Sequence, residues 1–196
     1  MPKIVDHESQ RGKFAEAVIR LVAREGLEGL TMRAVASEAG LSYGSLFHYF
    51  DSKDDLLMHA VRYSTSQQSR RVNEFSIRHS GLNALEYLLC DDALVDEASR
   101  EDSLVWLAFL YKAALKESFA DMHADLISGW LGRIEALLLE AGEAGEVRDD
   151  FDPYFEAMAL WVYSAGIGQQ GLLHPVMFPP PVQKKLITSY LDKLRK

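Results

Sequence analysis

Apolar residues recur every three or four positions along nearly the whole sequence, and this spacing constrains the fold more than any other feature. Near the start, Phe14, Val18 and Leu21 follow the pattern of one helix face, and Gly26 is expected to end that helix. Similar runs cover roughly residues 82–94, 100–115, 119–141, 152–165 and 181–194. Runs with the alternating period of a β-strand are absent from the sequence. The pattern predicts an all-α protein.

The composition is that of a globular chain with one or two domains. The sequence has 196 residues, 48% of them hydrophobic, which is enough to form a sizeable core. The longest apolar runs are far shorter than the roughly 20 residues of a membrane-spanning helix. The first ten residues lack the features of a signal peptide, so we expect a cytoplasmic protein with no membrane partner. The single cysteine, Cys90, excludes an internal disulfide and is interpreted as a small buried residue.

The net charge of −8 is unevenly distributed along the chain. Residues 1–80 carry 11 basic and 10 acidic side chains, whereas residues 81–196 carry 10 basic and 19 acidic ones. Charge varies along any chain, but this asymmetry also fits two domains with different partners. A negative net charge argues against a nucleic-acid partner, but here the acidic surplus lies downstream of the opening stretch.

A short helix, a sharp turn and a second short helix are predicted between residues 31 and 50. Thr31 is a candidate N-cap for the first of these helices, and Gly40 allows the turn. Ser42 is a candidate cap for the second helix, which is expected to run through Phe50, and Ser52 opens a longer helix after it. This order matches the helix-turn-helix motif, in which the second helix enters the DNA major groove.

Aromatic residues crowd the second of these short helices. Leu46 and Phe50 lie one turn apart and are expected to face the core, while the rings between Tyr43 and Tyr49 point elsewhere. Small residues around Gly44 keep the start of this helix narrow enough to approach base edges. A generic helical hairpin with exposed aromatics is the alternative interpretation.

The stretch "LTMRAVASEAGLSYGSLFHYFDSKDDLL" resembles the DNA-binding segment of the tetracycline-repressor (TetR) family of bacterial transcription regulators. The resemblance covers about residues 9–62. The C-terminal stretch "GIGQQGLLHPVMFPPPVQKKLITSYLDKL" is loosely similar to the end of the subgroup that includes choline-responsive repressors of glycine-betaine synthesis. The resemblance implies a three-helix helix-turn-helix domain over residues 1–62 and a helical bundle for effector binding and dimerisation over residues 63–196.

The resemblance also implies a ligand-responsive repressor that binds double-stranded operator DNA. Phosphate contacts are implied for Thr31, Tyr49 and Lys53. Phe47 stands where the family usually has tyrosine, so a hydroxyl contact is missing there, and His48 is expected to compensate. The complete set of predicted DNA-binding residues is Thr31, Arg33, Ser42, Tyr43, Gly44, Ser45, Phe47, His48, Tyr49 and Lys53.

The last two long helices each carry a broad apolar side, which predicts a homodimer. A two-fold dimer would require a near-palindromic operator. The candidate interface residues, some of which could instead complete the core of one chain, are Trp161, Ala165, Leu186, Tyr190 and Leu194.

A small-molecule effector is expected to bind among aromatic residues of the downstream helices. The acidic surplus there permits a cationic ligand held by ring faces, and a neutral lipophilic ligand fits equally well. The candidate pocket residues are Trp106, Phe109, Trp130 and Trp161.

Two further motifs resemble enzyme or metal sites. Residues 166–171, "GIGQQG", fit the dinucleotide-binding pattern G-x-G-x-x-G, but a helix starting at Asp152-Pro153 precedes them and prolines follow them. These glycines are expected to end the helix. Asp121, His123 and Asp125 do not share one helix face, so no metal site is expected. With no catalytic constellation and no cofactor indicated, a DNA-binding regulator is favoured over an enzyme or a helical protein-interaction module.

Overall fold

The computed structural model describes residues 7–196, and helices form nearly all of its regular structure. Within this range, an isolated antiparallel bridge between Val147 and Arg195 lies outside the helices. The all-α prediction is confirmed. The helices are α1 (His7–Gly29), α2 (Met32–Glu38), α3 (Tyr43–Leu46), α4 (Lys53–Ser76), α5 (Gly81–Ala93), α6 (Arg100–Ala113), α7 (Glu117–Glu143), α8 (Pro153–Leu173) and α9 (Pro180–Leu194).

The chain forms two compact units. The N-terminal unit comprises residues up to 66 together with residues 100–120, and the C-terminal unit comprises residues 67–99 and 121–196. Helix α6 thus packs in the same unit as the helix-turn-helix segment, where it contacts α1. The functional boundary predicted at residue 62 stays a prediction, but the packing of the N-terminal unit includes a helix from much later in the sequence.

Local signals at the predicted helix ends agree with the structure. Gly26 interrupts α1 with a φ of 68°, a conformation that costs little only for glycine, so the predicted break is confirmed. Ser52 accepts a hydrogen bond from the Asp55 backbone N–H at 3.1 Å, and the Asp55 carboxylate accepts one from the Asp51 N–H at 3.3 Å. This arrangement satisfies free N–H groups at the start of α4.

Helix α8 begins as predicted but ends later. Asp152 caps it by accepting hydrogen bonds from the backbone N–H groups of Tyr154 and Phe155, with Pro153 in the first turn. The helix then continues through residues 166–171 to Leu173. The prediction that these glycines end the helix was therefore wrong, and the helical conformation also excludes the strand that a dinucleotide-binding loop requires.

Close packing explains why glycines are found inside α8. A Cβ on Gly168 would lie 3.3 Å from the carbonyl oxygen of Ala93, and one on Gly171 would lie 2.7 Å from Cδ of Gln183. Both neighbours belong to the C-terminal unit, so α5 and α9 approach α8 closely at these positions. The close packing of the three helices that glycine permits outweighs the modest loss of helix stability caused by glycine inside a helix.

Gln183 is a fully buried polar residue at the start of α9. Its Oε1 accepts a hydrogen bond from the Val95 N–H at 2.8 Å. Its Nε2 lies 3.2 Å from the Val95 carbonyl oxygen and donates to the Phe178 carbonyl at 2.7 Å. The buried amide therefore joins the segment after α5 to the segment before α9.

Across residues 7–196, no helix has both the length and the apolar character needed to cross a lipid bilayer.

Candidate nucleic-acid interface

Backbone caps shape the helix-turn-helix segment. The Thr31 hydroxyl accepts a hydrogen bond from the Ala34 N–H at 3.1 Å, and Gly40 adopts a φ of 65° at the turn. The Ser42 hydroxyl then accepts from the Ser45 N–H at 3.0 Å at the start of α3. Thr31 and Ser42 thus cap helices by accepting hydrogen bonds from free backbone N–H groups, and Gly40 forms the turn between them. The sequence predicts all three of these local roles.

Helix α3 is shorter than predicted. It ends at Leu46, after which the N–H groups of His48 and Tyr49 bond to carbonyls three residues earlier, at 3.1 and 3.0 Å. Regular α-helix therefore does not extend through Phe50, because the chain tightens into turns. The predicted core contacts remain, since Leu46 and Phe50 are buried. The Phe50 ring packs edge-on against Phe14 of α1, with centroids 5.8 Å apart.

Arg33, Tyr43 and Phe47 form a cluster on the surface of the protein. The rings of Tyr43 and Phe47 meet edge to face at 4.9 Å, and the Arg33 guanidinium carbon lies 5.5 Å from the centre of the Tyr43 ring. Tyr43 is 43% exposed and Phe47 is 49% exposed. Two large rings and a cation thus remain available to another molecule on this surface.

Gly44 follows Tyr43 on the same exposed helix. A Cβ placed there would meet no atom within 4 Å, and the backbone φ is not positive. Nothing in the surrounding fold therefore requires glycine at this position. A residue without a side chain does leave the backbone of α3 open to close approach by another molecule.

Tyr49 connects the helix-turn-helix segment to α1. Its hydroxyl lies 2.9 Å from Oε1 of Gln10 and 2.9 Å from Nδ1 of His7. The neighbouring His48 is exposed and Ser45 is partly buried. The predicted phosphate contact of Tyr49 stays a prediction, and this hydroxyl already has partners within the chain.

Lys53 is the exposed first residue of α4. The adjacent Asp54 carboxylate forms ion pairs with Lys112 of α6, at 3.3 Å, and with Lys116. Burial alone would raise the pKa of Asp54, but the hydrogen bonds from Lys116 and Lys112 outweigh it, and the pKa is lowered. These pairs offset the negative charge beside Lys53 and join α6 to the start of α4.

The four predicted pocket residues lie in different units. In the N-terminal unit, Trp106 stacks on Phe109 with ring centroids 5.3 Å apart, and Phe109 is fully buried against Phe119. In the C-terminal unit, Trp130 and Trp161 are partly buried against the hydrophobic core. The effector-binding role of all four stays a prediction.

Asp92 on α5 is a polar residue of the C-terminal unit that sequence reasoning missed. Its carboxylate lies 3.2 Å from the Ser164 hydroxyl of α8. Burial raises the pKa of Asp92 to about 6, although hydrogen bonds from Ser164 and Gln68 act in the opposite direction. A signal was present, because Asp92 is three and four residues beyond Leu89 and Leu88 and so falls on the buried face of the helix.

The predicted dimer residues differ in their exposure. Ala165 is exposed, whereas Trp161, Leu186 and Tyr190 are partly buried. Leu194 is only 2% exposed and belongs to the core of its own unit, so its side chain is not available to a dimer interface. The structure instead leaves large apolar side chains exposed along one face of α8, namely Phe155, Val162 and Leu173.

Models of known protein families match both the N-terminal and the C-terminal part of the chain. The profile for bacterial regulatory proteins of the tetR family matches residues 15–60, which contain the helix-turn-helix segment. A profile for the C-terminal region of BetI-type transcriptional repressors matches residues 87–196, more than half of the chain.

Two curated relatives match over nearly their full length. The transcriptional regulator PksA of Bacillus subtilis is 29% identical, covering 99% of this chain and 94% of PksA. The transcriptional regulator BetI of Vibrio campbellii is 26% identical, covering 98% of this chain and 96% of that protein. Among solved structures, a transcriptional regulator from Saccharomonospora viridis in complex with choline superposes with a TM-score of 0.85 at 22% identity, covering 96% and 99% of the two chains.

The helix-turn-helix geometry and these matches together define a DNA-binding transcriptional regulator. The chain belongs to the tetR family of bacterial regulatory proteins, with a C-terminal region of the BetI type. The resemblance noted in the sequence is confirmed, and so is the prediction that the protein is not an enzyme.

Proposed function

We propose that the protein represses transcription by binding operator DNA through α3 and the residues around it, and that a small molecule releases it. The single observation that carries the DNA-binding assignment is Gly44. This glycine is not required by the fold and lies beside the exposed Tyr43. Close approach of the α3 backbone to the base edges of the major groove would explain the missing side chain.

The two kinds of contact are proposed to involve different residues. Tyr43, Gly44 and Ser45 face base edges, with Arg33 beside them, and these contacts set the sequence preference. Thr31 and Lys53 contact phosphates, which fixes the position of the protein on the duplex without reading the sequence. The remaining proposed contacts are Ser42, Phe47, His48 and Tyr49.

Lys53→Ala and Tyr43→Ala are expected to affect DNA binding in different ways. Lys53→Ala should lower affinity about equally for every sequence, since it removes an interaction with a phosphate. Tyr43→Ala should change which sequences are preferred, at a cost of about 1–3 kcal/mol for each base that is no longer recognised. Selection of DNA sites from a random pool measures the sequence preference. Titration of the selected site at several salt concentrations measures the affinity.

Gly44→Ala tests the same interface while leaving every other side chain in place. The added methyl group has open space in the free protein, so thermal stability should not fall, while affinity for the selected operator should fall at least about tenfold. Gly132→Ala is the matched control, because it also lies on a helix and its Cβ would meet no atom within 4 Å. If Gly44→Ala, Tyr43→Ala and Lys53→Ala all bind like the parent protein, α3 is not the recognition helix.

We further propose a homodimer formed through α8 and α9. The outward face of α8 supports this, because Phe155, Val162 and Leu173 are 66%, 61% and 53% exposed. Ala165 lies on the exposed side of the same helix, and Leu186 and Tyr190 of α9 are partly buried. An apolar face of this length is typical of a subunit interface. A two-fold dimer would bind a near-palindromic operator with half-sites about 34–36 Å apart, or a multiple of it.

The effector is proposed to be a small cation with an apolar surface, such as a quaternary amine, bound within the C-terminal unit. Asp92 supplies a carboxylate inside this unit, and Trp130 and Trp161 supply aromatic surface. Carboxylates and ring faces both attract such cations. The choline complex of the Saccharomonospora viridis regulator, which shares this fold, makes choline a suitable first probe.

Choline affinity is expected to fall as the pH is lowered. A carboxyl group with a pKa of about 6 is ionised at pH 7.5 and mostly protonated at pH 5, so affinity should drop about tenfold between them. Tryptophan fluorescence titration measures binding, and release of labelled operator measures the response.

Asp92→Asn should weaken choline binding at pH 7.5, while Asp91→Asn is the matched control. Asp91 neighbours Asp92 in sequence but pairs with Arg71 at 3.0 Å. Equal choline affinity in both variants would rule out Asp92 as the anchor. Binding of fatty acyl compounds in place of choline would favour the neutral lipophilic ligand.

A further inference from the structure

A groove in the N-terminal unit lies between the first turns of α1, the residues that follow α3 and one face of α4. Its volume is about 310 Å³. The residues that α4 contributes are three or four positions apart, so they share one face of that helix. The lining includes Arg11, Phe50, Asp51, Asp55, His59 and Arg62.

Phe50 holds a cation and a histidine at this groove. Its ring is buried, and the guanidinium carbon of Arg11 lies 5.0 Å from the centre of that ring. The His59 ring packs against the same ring, with centroids 5.0 Å apart. The Nε2 atom of His59 lies 3.1 Å from the backbone carbonyl oxygen of Arg11 and donates to it, because a carbonyl oxygen only accepts. These contacts fix the histidine ring beside the backbone of Arg11.

Two positive charges in this groove have no carboxylate partner. Among residues 7–196, neither Arg11 nor Arg62 forms an ion pair, although Asp51 and Asp55 line the same groove. The Asp55 carboxylate instead accepts a hydrogen bond from the Asp51 N–H. Burial lowers the pKa of His59; a hydrogen bond to the Arg11 carbonyl opposes this, and the charges of Arg11 and Arg62 lower the pKa further. Both arginine charges therefore act on the same ring.

We propose that this groove binds a phosphate group through Arg11 and Arg62. A guanidinium group can donate two parallel hydrogen bonds to phosphate oxygens. A phosphate monoester carries about −1.5 to −2 charges at pH 7, which matches two arginines better than the single charge of a carboxylate does. The phosphate group can belong to a phosphorylated small molecule or to the DNA backbone. The site is separate from the effector site proposed in the C-terminal unit.

Arg62→Ala tests this site in the full chain with inorganic phosphate and without DNA. The dissociation constant for phosphate should rise at least about fivefold, because one of the two cations is removed. Arg70→Ala is the matched control, since Arg70 is exposed on the same helix, does not line the groove and pairs with Glu74 at 3.8 Å. This control should change the constant less than about twofold. Isothermal titration calorimetry at constant ionic strength measures binding, and shifts of the His59 ring signals in NMR spectra locate it.

Titration with the selected operator distinguishes the two sources of phosphate. If the DNA backbone occupies the groove, Arg62→Ala should weaken binding about equally for all sequences and reduce the salt slope by about one, whereas Arg70→Ala should do neither. If a phosphorylated small molecule occupies it, both variants should bind the operator like the parent protein.

Two results would overturn the site. One is that the parent protein binds no inorganic phosphate up to about 10 mM while Arg62→Ala and Arg70→Ala bind the operator equally well. The other is that these two variants have the same dissociation constant for phosphate. Neither phosphate measurement involves DNA, so failure of the site is distinguishable from failure of the proposed operator contacts of α3.

Discussion

Phe109→Ala is expected to lower the free energy of unfolding by about 3–5 kcal/mol, the usual cost of removing a large buried ring. Phe109 is fully buried in the N-terminal unit, where it packs against Phe119 and Trp106. Urea denaturation followed by circular dichroism measures the change. Tyr111→Ala on the same helix is the control, since Tyr111 is 61% exposed and should change stability by less than about 0.5 kcal/mol.

The same substitution should also weaken operator binding, because α6 packs on α1 within the unit that carries the helix-turn-helix. Phe109 lies far from α3 in the sequence. Removal of its ring should nevertheless loosen the packing of α6 on α1. If Phe109→Ala is as stable as Tyr111→Ala, α6 is not an integral part of the N-terminal unit. If it is destabilised but binds the operator normally under conditions where it remains folded, DNA binding does not depend on α6.

Gly171→Ala is expected to destabilise the C-terminal unit by about 2–4 kcal/mol, through overpacking and a disturbed buried hydrogen bond. The new methyl group would lie against the amide of Gln183. That amide is held by Val95 and by the Phe178 carbonyl, so it cannot move aside without breaking hydrogen bonds. Thermal and urea unfolding measure the change in stability.

Gly132→Ala in α7 provides the contrast for Gly171→Ala. Its methyl group would meet no atom within 4 Å, so replacement of a helical glycine by alanine should stabilise the chain by about 1 kcal/mol. Similar effects at the two positions would mean that Gly171 has no special packing role. Gln183→Ala alone should also lower stability, because it leaves the buried Val95 N–H without its acceptor. A Gly171→Ala/Gln183→Ala variant that loses clearly less stability than the two single variants together would identify the Gln183 amide as the source of the clash.

The sequence by itself determined the features that depend on neighbouring residues. Thr31, Gly40 and Ser42 were predicted correctly because caps and turns satisfy the backbone within three or four positions. The burial of Leu46 and Phe50 followed from helical spacing in the same way. The family resemblance also rests on this local segment, so the class of protein is recognisable from the sequence alone.

Tertiary structure alone decided the features that depend on distant residues. The glycines of α8 looked like a helix end, yet close contact with Ala93 and Gln183 makes them part of the helix. The inclusion of α6 in the N-terminal unit has the same origin. Each depends on packing between segments far apart in sequence, and such packing outweighs local preferences of about 1 kcal/mol per residue.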